Sequence, residues 1–153
     1  ATTDLNNVSG IETITLGDAI TSVTTLNALV AAGETLTVDA SALVTAGSTL
    51  TWNGAAEANG KFSITGGALS DTITGGSGND TLVGGVGNDS LTAGAGSDSL
   101  SGGSDDDTFV LSTNLTLLDT LVGGDGTRVI SVPGGGLATW NAHRSKDDDA
   151  ALS

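Results

Sequence analysis

The chain has no cysteine, no methionine and no tyrosine, and only one proline and one histidine. Without cysteine it holds neither a disulfide nor a thiolate metal site. The aromatic residues are Trp52, Trp140, Phe62 and Phe109 alone, too few for a conventional globular core, so the interior is expected to be thin and aliphatic. Basic residues are as scarce: four against 18 acids over 153 residues, a net charge of −14. That imbalance argues against nucleic acid or an anionic membrane as partner, since both would be repelled. No apolar run approaches the ~20 residues of a membrane span, so no membrane insertion is expected. Residues 1–18 lack the basic start and apolar centre of a secretory signal. The expectation is therefore a fragment of a longer chain, or export by a route that reads no N-terminal signal.

Glycine (24 residues) and aspartate (15 of the 18 acids) are abundant instead. From Gly75 to Val110 they fall into four tandem nine-residue units, GGSGNDTLV, GGVGNDSLT, AGAGSDSLS and GGSDDDTFV. Glycine fills the first two positions and usually the fourth. Asp80, Asp89, Asp98 and Asp107 fill the sixth, and Leu82, Leu91, Leu100 and Phe109 the eighth. A fixed short period is the signature of a solenoid. In each unit six turn-favouring residues precede three strand formers, and because side chains alternate along a strand the central leucine can point inward. Two units make one coil, and strands ~4.7–4.9 Å apart bring aspartates of successive coils together. Such columns of carboxylates repel unless a counter-ion lies between them. Two carboxylates with several turn carbonyls form a hard-oxygen shell of about six ligands, which suits calcium. A flexible glycine-serine-aspartate linker has no reason to keep this phase.

The phase runs back through Ile73 and Ile64 and forward to Leu118, predicting one continuous solenoid over 64–118. The unit Gly66–Thr74 keeps Asp71 but has Leu69 at the fourth position, so a weaker metal turn is expected there. Ala93 replaces one first-position glycine, a mild change, whereas Asp105 replaces a turn glycine and Asp106 adds a further acid. In the repeat that starts at Gly123, Arg128 occupies the sixth position and ends the column. Three regions follow: a β-rich N-terminal part of the solenoid with little or no metal (1–65), a calcium roll (66–127), and a C-terminal cap or a disordered or foreign tail (128–153). Alternation and turn residues place strands at Ile11–Leu16, Ser22–Leu26, Thr35–Val38, Thr49–Trp52 and Phe62–Thr65. Leu26–Ala32 looks helical, ended by Gly33, and is short enough to be a single turn used as a cap or corner.

The nonapeptide units resemble the RTX (hemolysin-type) calcium-binding repeats. More loosely, Thr35–Leu43 and Ser48–Thr51 are similar to segments that precede such repeats in large secreted, surface-layer-like RTX proteins. The resemblance implies an all-β, parallel β-roll or β-helix solenoid with calcium bound in the turns. The metal ligands would be the carboxylates of Asp71, Asp80, Asp89, Asp98 and Asp107. Turn carbonyls would come from Gly76, Gly78, Gly85, Gly87, Gly94, Gly96 and Gly103, for three or more ions in all. Asp71 pairs with Asp89, Asp80 with Asp98 and Asp89 with Asp107; the sequence favours Asp80 with Asp98, because both turns keep the fourth-position glycine. Glycine loses the most freedom on ordering and the carboxylates repel, so the metal-free chain is expected to be largely disordered and calcium binding to supply folding energy. Extracellular calcium modules bind at Kd ~10⁻⁴–10⁻³ M, which would keep the chain unfolded inside a cell and folded outside.

The family further implies type I secretion, an extracellular or bacterial cell-surface location, and a surface-layer or adhesin role. Its partners would then be calcium and neighbouring copies or domains of a surface layer. The alternative is an accessory domain of a secreted RTX enzyme such as a protease, lipase or alginate epimerase. Catalysis within the chain is not expected. His143 stands alone, with no Ser-His-Asp set around it, and the glycine-rich turns lack the Lys-Ser/Thr of a phosphate loop. Asp105–Asp107 and Asp147–Asp149 lack the alternating ligands and distant glutamate of an EF-hand. Outward threonines such as Thr72, Thr81 and Thr108 permit a ligand on a flat face, but they are ordinary strand residues.

Overall fold

The computed structural model describes residues 2–4, 10–19, 21–25, 29–111 and 118–131. Within them lie β1 (Thr2–Asp4), β2 (Thr13–Thr15), β3 (Thr21–Thr24), β4 (Thr35–Asp39), β5 (Leu50–Asn53), β6 (Lys61–Thr65) and β7 (Thr72–Thr74). They continue as β8 (Thr81–Val86), β9 (Ser90–Thr92), β10 (Ser99–Ser104), β11 (Asp107–Val110), β12 (Thr120–Gly124) and β13 (Arg128–Ser131). Odd-numbered strands form one sheet in sequence order and even-numbered strands from β2 to β12 a second, with every pair parallel. The chain crosses from one sheet to the other at each turn, so two strands and two turns make one coil of a parallel β-solenoid.

The strands form where β-branched and aliphatic residues alternate with small polar ones, and burial follows the same period: β4 (TLTVD) and β6 (KFSIT) bury every second residue. The inward residues stack into ladders. One runs Val23, Trp52, Ile73, Leu91, Phe109, Ile130. The other runs Ile14, Val38, Ile64, Leu82, Leu100, Leu121, with Leu36 over Phe62 beside it. Leu82, Leu91 and Leu100 are wholly buried, each filling the gap between the ladder residues above and below. The bulkiest part of the core precedes the repeats, where Trp52 and Phe62 meet edge to face with ring centroids 5.5 Å apart.

The solenoid continues past the four clean units, but not in the expected phase. Leu118 is 73% exposed; the residue under Leu100 is Leu121, and the one under Phe109 is Ile130. Three extra residues between Phe109 and Leu121 lengthen this coil, so the nine-residue count ends at Phe109 and resumes displaced. The expected helical piece is not a helix where it is described. Leu29–Gly33 forms a bend and a turn closed by the Glu34 N–H donating to the Ala31 carbonyl at 2.9 Å, with Leu29 and Val30 buried. Residues 26–28, and the tail 132–153 with Trp140 and His143, lie outside the described residues. No helix among the described residues is long and apolar enough to cross a membrane.

Candidate metal centre

The turns joining the strands line two edges of the solenoid. Turns 66–71, 84–89, 102–107 and 123–128 stack on one edge; turns 54–60, 75–80 and 93–98 stack on the other. At each level the sixth-position carboxylate reaches back to the preceding coil. Asp89 Oδ1 accepts the Asp71 N–H at 2.8 Å, Asp98 Oδ1 the Asp80 N–H at 2.9 Å, and Asp107 Oδ1 the Asp89 N–H at 3.0 Å. At the head of each column Asp71 takes the Leu50 N–H and Asp80 the Phe62 N–H. The structure thus brings together all three aspartate pairs that the repeat spacing joins, and all five carboxylates are buried.

The first-position glycine of a turn lies against its own aspartate. A Cβ on Gly84 would strike both Asp89 Oδ2 and the Gly102 carbonyl of the next coil, and one on Gly102 would strike Asp107 Oδ2 and the Gly123 carbonyl. A carboxylate oxygen and a carbonyl oxygen therefore meet over one Cα. The second-position glycine differs between turns of nearly identical sequence. In Gly66–Asp71 and Gly75–Asp80 its N–H donates to the aspartate's Oδ2, from Gly67 at 2.6 Å and from Gly76 at 2.7 Å. In the later turns Gly85, Gly94 and Gly103 adopt φ of 120°, 97° and 116°, a left-handed backbone open to glycine. There the Oδ2 atoms of Asp89 and Asp107 are buried with no partner. The carbonyls of Gly76 and Gly103 accept an N–H from the next coil, from Ala95 and Asp125, which leaves each one lone pair. Those of Gly78 and Gly85 lie under Gly96 and Gly103, while Gly87 and Gly96 hold the fourth position at φ 108° and 135°.

Electrostatics follow from this burial. Asp89 is pushed up to about 7, by burial first and then by the charges of Asp71, Asp107 and Asp105, against the opposing N–H bond. Asp98 is pushed up to about 6 by burial, with Asp80 and Asp119 adding to it. Burial also raises Asp71, Asp80 and Asp107, the last partly relieved by Arg128. Among the described residues no three acidic or histidine side chains form a metal cage by themselves, so a bound cation draws much of its shell from carbonyls. Orphaned carboxylate oxygens, neighbouring carbonyls and an all-oxygen donor set fit a hard divalent cation such as calcium.

Three features escaped the sequence reading. Asp119 extends the second column: its Oδ1 accepts the Asp98 N–H at 2.8 Å. The hexapeptide DTLVGG at Asp80–Gly85 recurs unchanged at Asp119–Gly124, and that repetition would have identified it. Glu57, fully buried, heads the same edge, with Oε1 accepting from Ala58, Asn59 and Gly60 and Oε2 accepting from Val30. Being a single glutamate outside any repeat, it left no signal. The fifth position carries a second ladder of opposite sense, in which Asn79 Oδ1 accepts the Ser97 N–H and Asn88 Oδ1 the Asp106 N–H, both at 3.0 Å. Each coil is thus clasped to the next in both directions. Arg128, opposite Asp107 in the register, puts a cation where the column would need its next carboxylate.

A model of the RTX calcium-binding nonapeptide repeat matches residues 63–91 and 84–111, with four copies. Comparison with curated proteins and with solved structures finds no match. Stacked turns, buried carboxylate columns and this match together identify residues 63–111 as RTX calcium-binding nonapeptide repeats.

Proposed function

We propose that the chain is a non-catalytic structural module of a secreted or cell-surface protein, in which calcium completes the folding of the repeats outside the cell. The observation that carries this reading is the pair of orphaned, buried Oδ2 atoms on Asp89 and Asp107. A desolvated carboxylate oxygen without a partner destabilises the fold, and a cation held by both coils turns that penalty into a cross-link. Asp71, Asp80, Asp89, Asp98, Asp107 and Asp119 supply the charge, and the turn carbonyls complete the shell. The coils before residue 66 need no metal, because Glu57, the one buried carboxylate among their described residues, is satisfied by four backbone N–H groups. Calcium dependence is therefore graded along the chain, with a metal-independent base and metal-dependent coils stacked upon it. A surface layer or adhesin, reached by type I secretion, is the setting that suits such a module, with neighbouring copies or domains as its protein contacts.

The test is far-UV circular dichroism of the purified chain during calcium titration from chelator, with magnesium as control. A gain of β signal with calcium alone supports the reading. A full β spectrum in chelator that calcium leaves unchanged sinks it.

A further inference from the structure

One turn departs from the others in composition but not in shape. Asp105 stands at the fourth position, where the turns stacked on either side of it have Gly87 and Gly126, and it adopts φ 76°. A non-glycine residue held in the left-handed region is strained, and such strain persists where the surroundings impose it, often at a functional site. The same pair of turns holds the two orphaned oxygens. Asp89 and Asp107 are 2% and 1% exposed, and the Oδ2 of each is buried without a partner. Asp105 reaches across the same interface, its Oδ2 accepting the Gly87 N–H at 3.2 Å, and its charge is felt by both Asp89 and Asp107.

The other aspartate interfaces differ. Asp71 and Asp80 have their Oδ2 atoms capped by Gly67 and Gly76, so the interfaces of Asp71 with Asp89 and of Asp80 with Asp98 each contain one self-satisfied carboxylate. Beyond Asp107 the next sixth position is Arg128. Among the described residues, Asp89 with Asp107 is the interface at which both aspartate turns have a left-handed second residue and both carboxylates retain a free oxygen. The sequence favoured Asp80 with Asp98 on glycine count; the backbone favours the pair flanked by Asp105.

We propose that Asp105 adds a third carboxylate charge beside the Asp89 and Asp107 pair, at the interface of turns 84–89 and 102–107, and makes this the tightest calcium site of the chain. Asp105 acts at the mouth of the site, as a positioning and charge-supplying residue, while Asp89 and Asp107 hold the ion. Affinity in oxygen sites rises with the number of carboxylate charges around the ion, and the strained backbone at Asp105 is the counterpart of that gain. The proposal rests on the calcium-binding reading of the repeats.

The test is calorimetric calcium titration of the full chain against Asp105→Asn and Asp105→Gly. Asparagine tolerates the left-handed backbone and keeps an acceptor for Gly87 without the charge; glycine removes the side chain and the strain. Both variants are expected to shift the first binding step to roughly tenfold higher calcium, leaving the later steps in place. Asp105→Gly is also expected to raise the melting temperature in chelator, a gain in stability joined to a loss of affinity that a merely structural residue would not show. Wild-type affinity at every step in both variants overturns the proposal. A wild-type chain that takes up no calcium overturns the calcium reading itself, before Asp105 is in question.

Discussion

Replacing Asp89 by asparagine should change stability in opposite directions with and without calcium. The side chain keeps its shape, and its remaining oxygen still accepts the Asp71 N–H. What changes is Oδ2, buried and unpartnered, which becomes an amide nitrogen lying over Gly84 together with the Gly102 carbonyl. In chelator at neutral pH the substitution removes a desolvated charge and gives the new N–H an acceptor, so it should stabilise the roll by about 1 kcal/mol or more. In calcium it removes a ligand. For a site of Kd ~10⁻⁴–10⁻³ M, saturation at about 10 mM calcium contributes RT ln(1 + [Ca]/Kd), about 1.4–2.7 kcal/mol, and the variant forfeits that. For a chain of this size 1 kcal/mol moves the melting point by roughly 2–4 °C. Paired thermal melts in chelator and in calcium should therefore show Asp89→Asn above wild type in the first and below it in the second. A variant that is destabilised equally in both would refute the reasoning, because it would make Oδ2 a structural acceptor rather than a metal ligand.

Other expectations follow from the same geometry. The carboxyls of Asp89 and Asp98, at about 7 and about 6, titrate above the ~3.9 of an unfolded aspartate. Their contribution to the metal-free fold is then fully present below about pH 4 and lost as pH rises through 6 to 7. Metal-free melts should rise on acidification across that window, while calcium affinity, measured by titration at several pH values, should fall. Glu57→Gln presents an amide nitrogen to the Val30 N–H, or turns it on the three donors of Ala58, Asn59 and Gly60. It should cost about 1–3 kcal/mol, equally in chelator and in calcium by denaturant unfolding. Leu91→Ala, which opens a cavity between Ile73 and Phe109, should cost about 2–5 kcal/mol; a loss under 1 kcal/mol would show that the ladder collapses to fill the gap.

The repeats were legible because nine-residue phase, glycine placement and apolar column all pointed to one architecture, and the strands expected over residues 11–65 lie close to those observed. The phase failed at Leu118 because a periodic count cannot register an insertion; only the recurrence of DTLVGG fixes the true alignment. The conformations of the turns were not legible either. GGSGND at Gly75–Asp80 and GGVGND at Gly84–Asp89 differ in one residue, yet the first caps its own aspartate and the second leaves an oxygen free. What separates them is the coil beneath. Gly75–Asp80 rests on the Glu57 turn, where Ser77 donates to the Glu57 carbonyl, whereas Gly84–Asp89 rests on another repeat. That is a property of stacking, invisible in the unit itself. Asp105 shows the converse, since a substitution that breaks the glycine pattern left the turn's backbone intact.

The paired clasps make the solenoid a ruler with a fixed graduation. Each 18-residue coil offers an N–H at its sixth position to the carboxylate of the coil after it, and an acceptor at its fifth to that coil's N–H. Duplicating 18 residues of the repeats would add one graduation, ~4.7–4.9 Å of length, with the same fittings at both ends and one more stacked aspartate on each edge. Duplicating nine would send every later strand to the opposite sheet and exchange the two columns, setting Arg128 on the edge that now carries Asp119. Length in such a solenoid therefore changes in whole coils, and only an even number of added nine-residue units leaves each later strand in its own sheet.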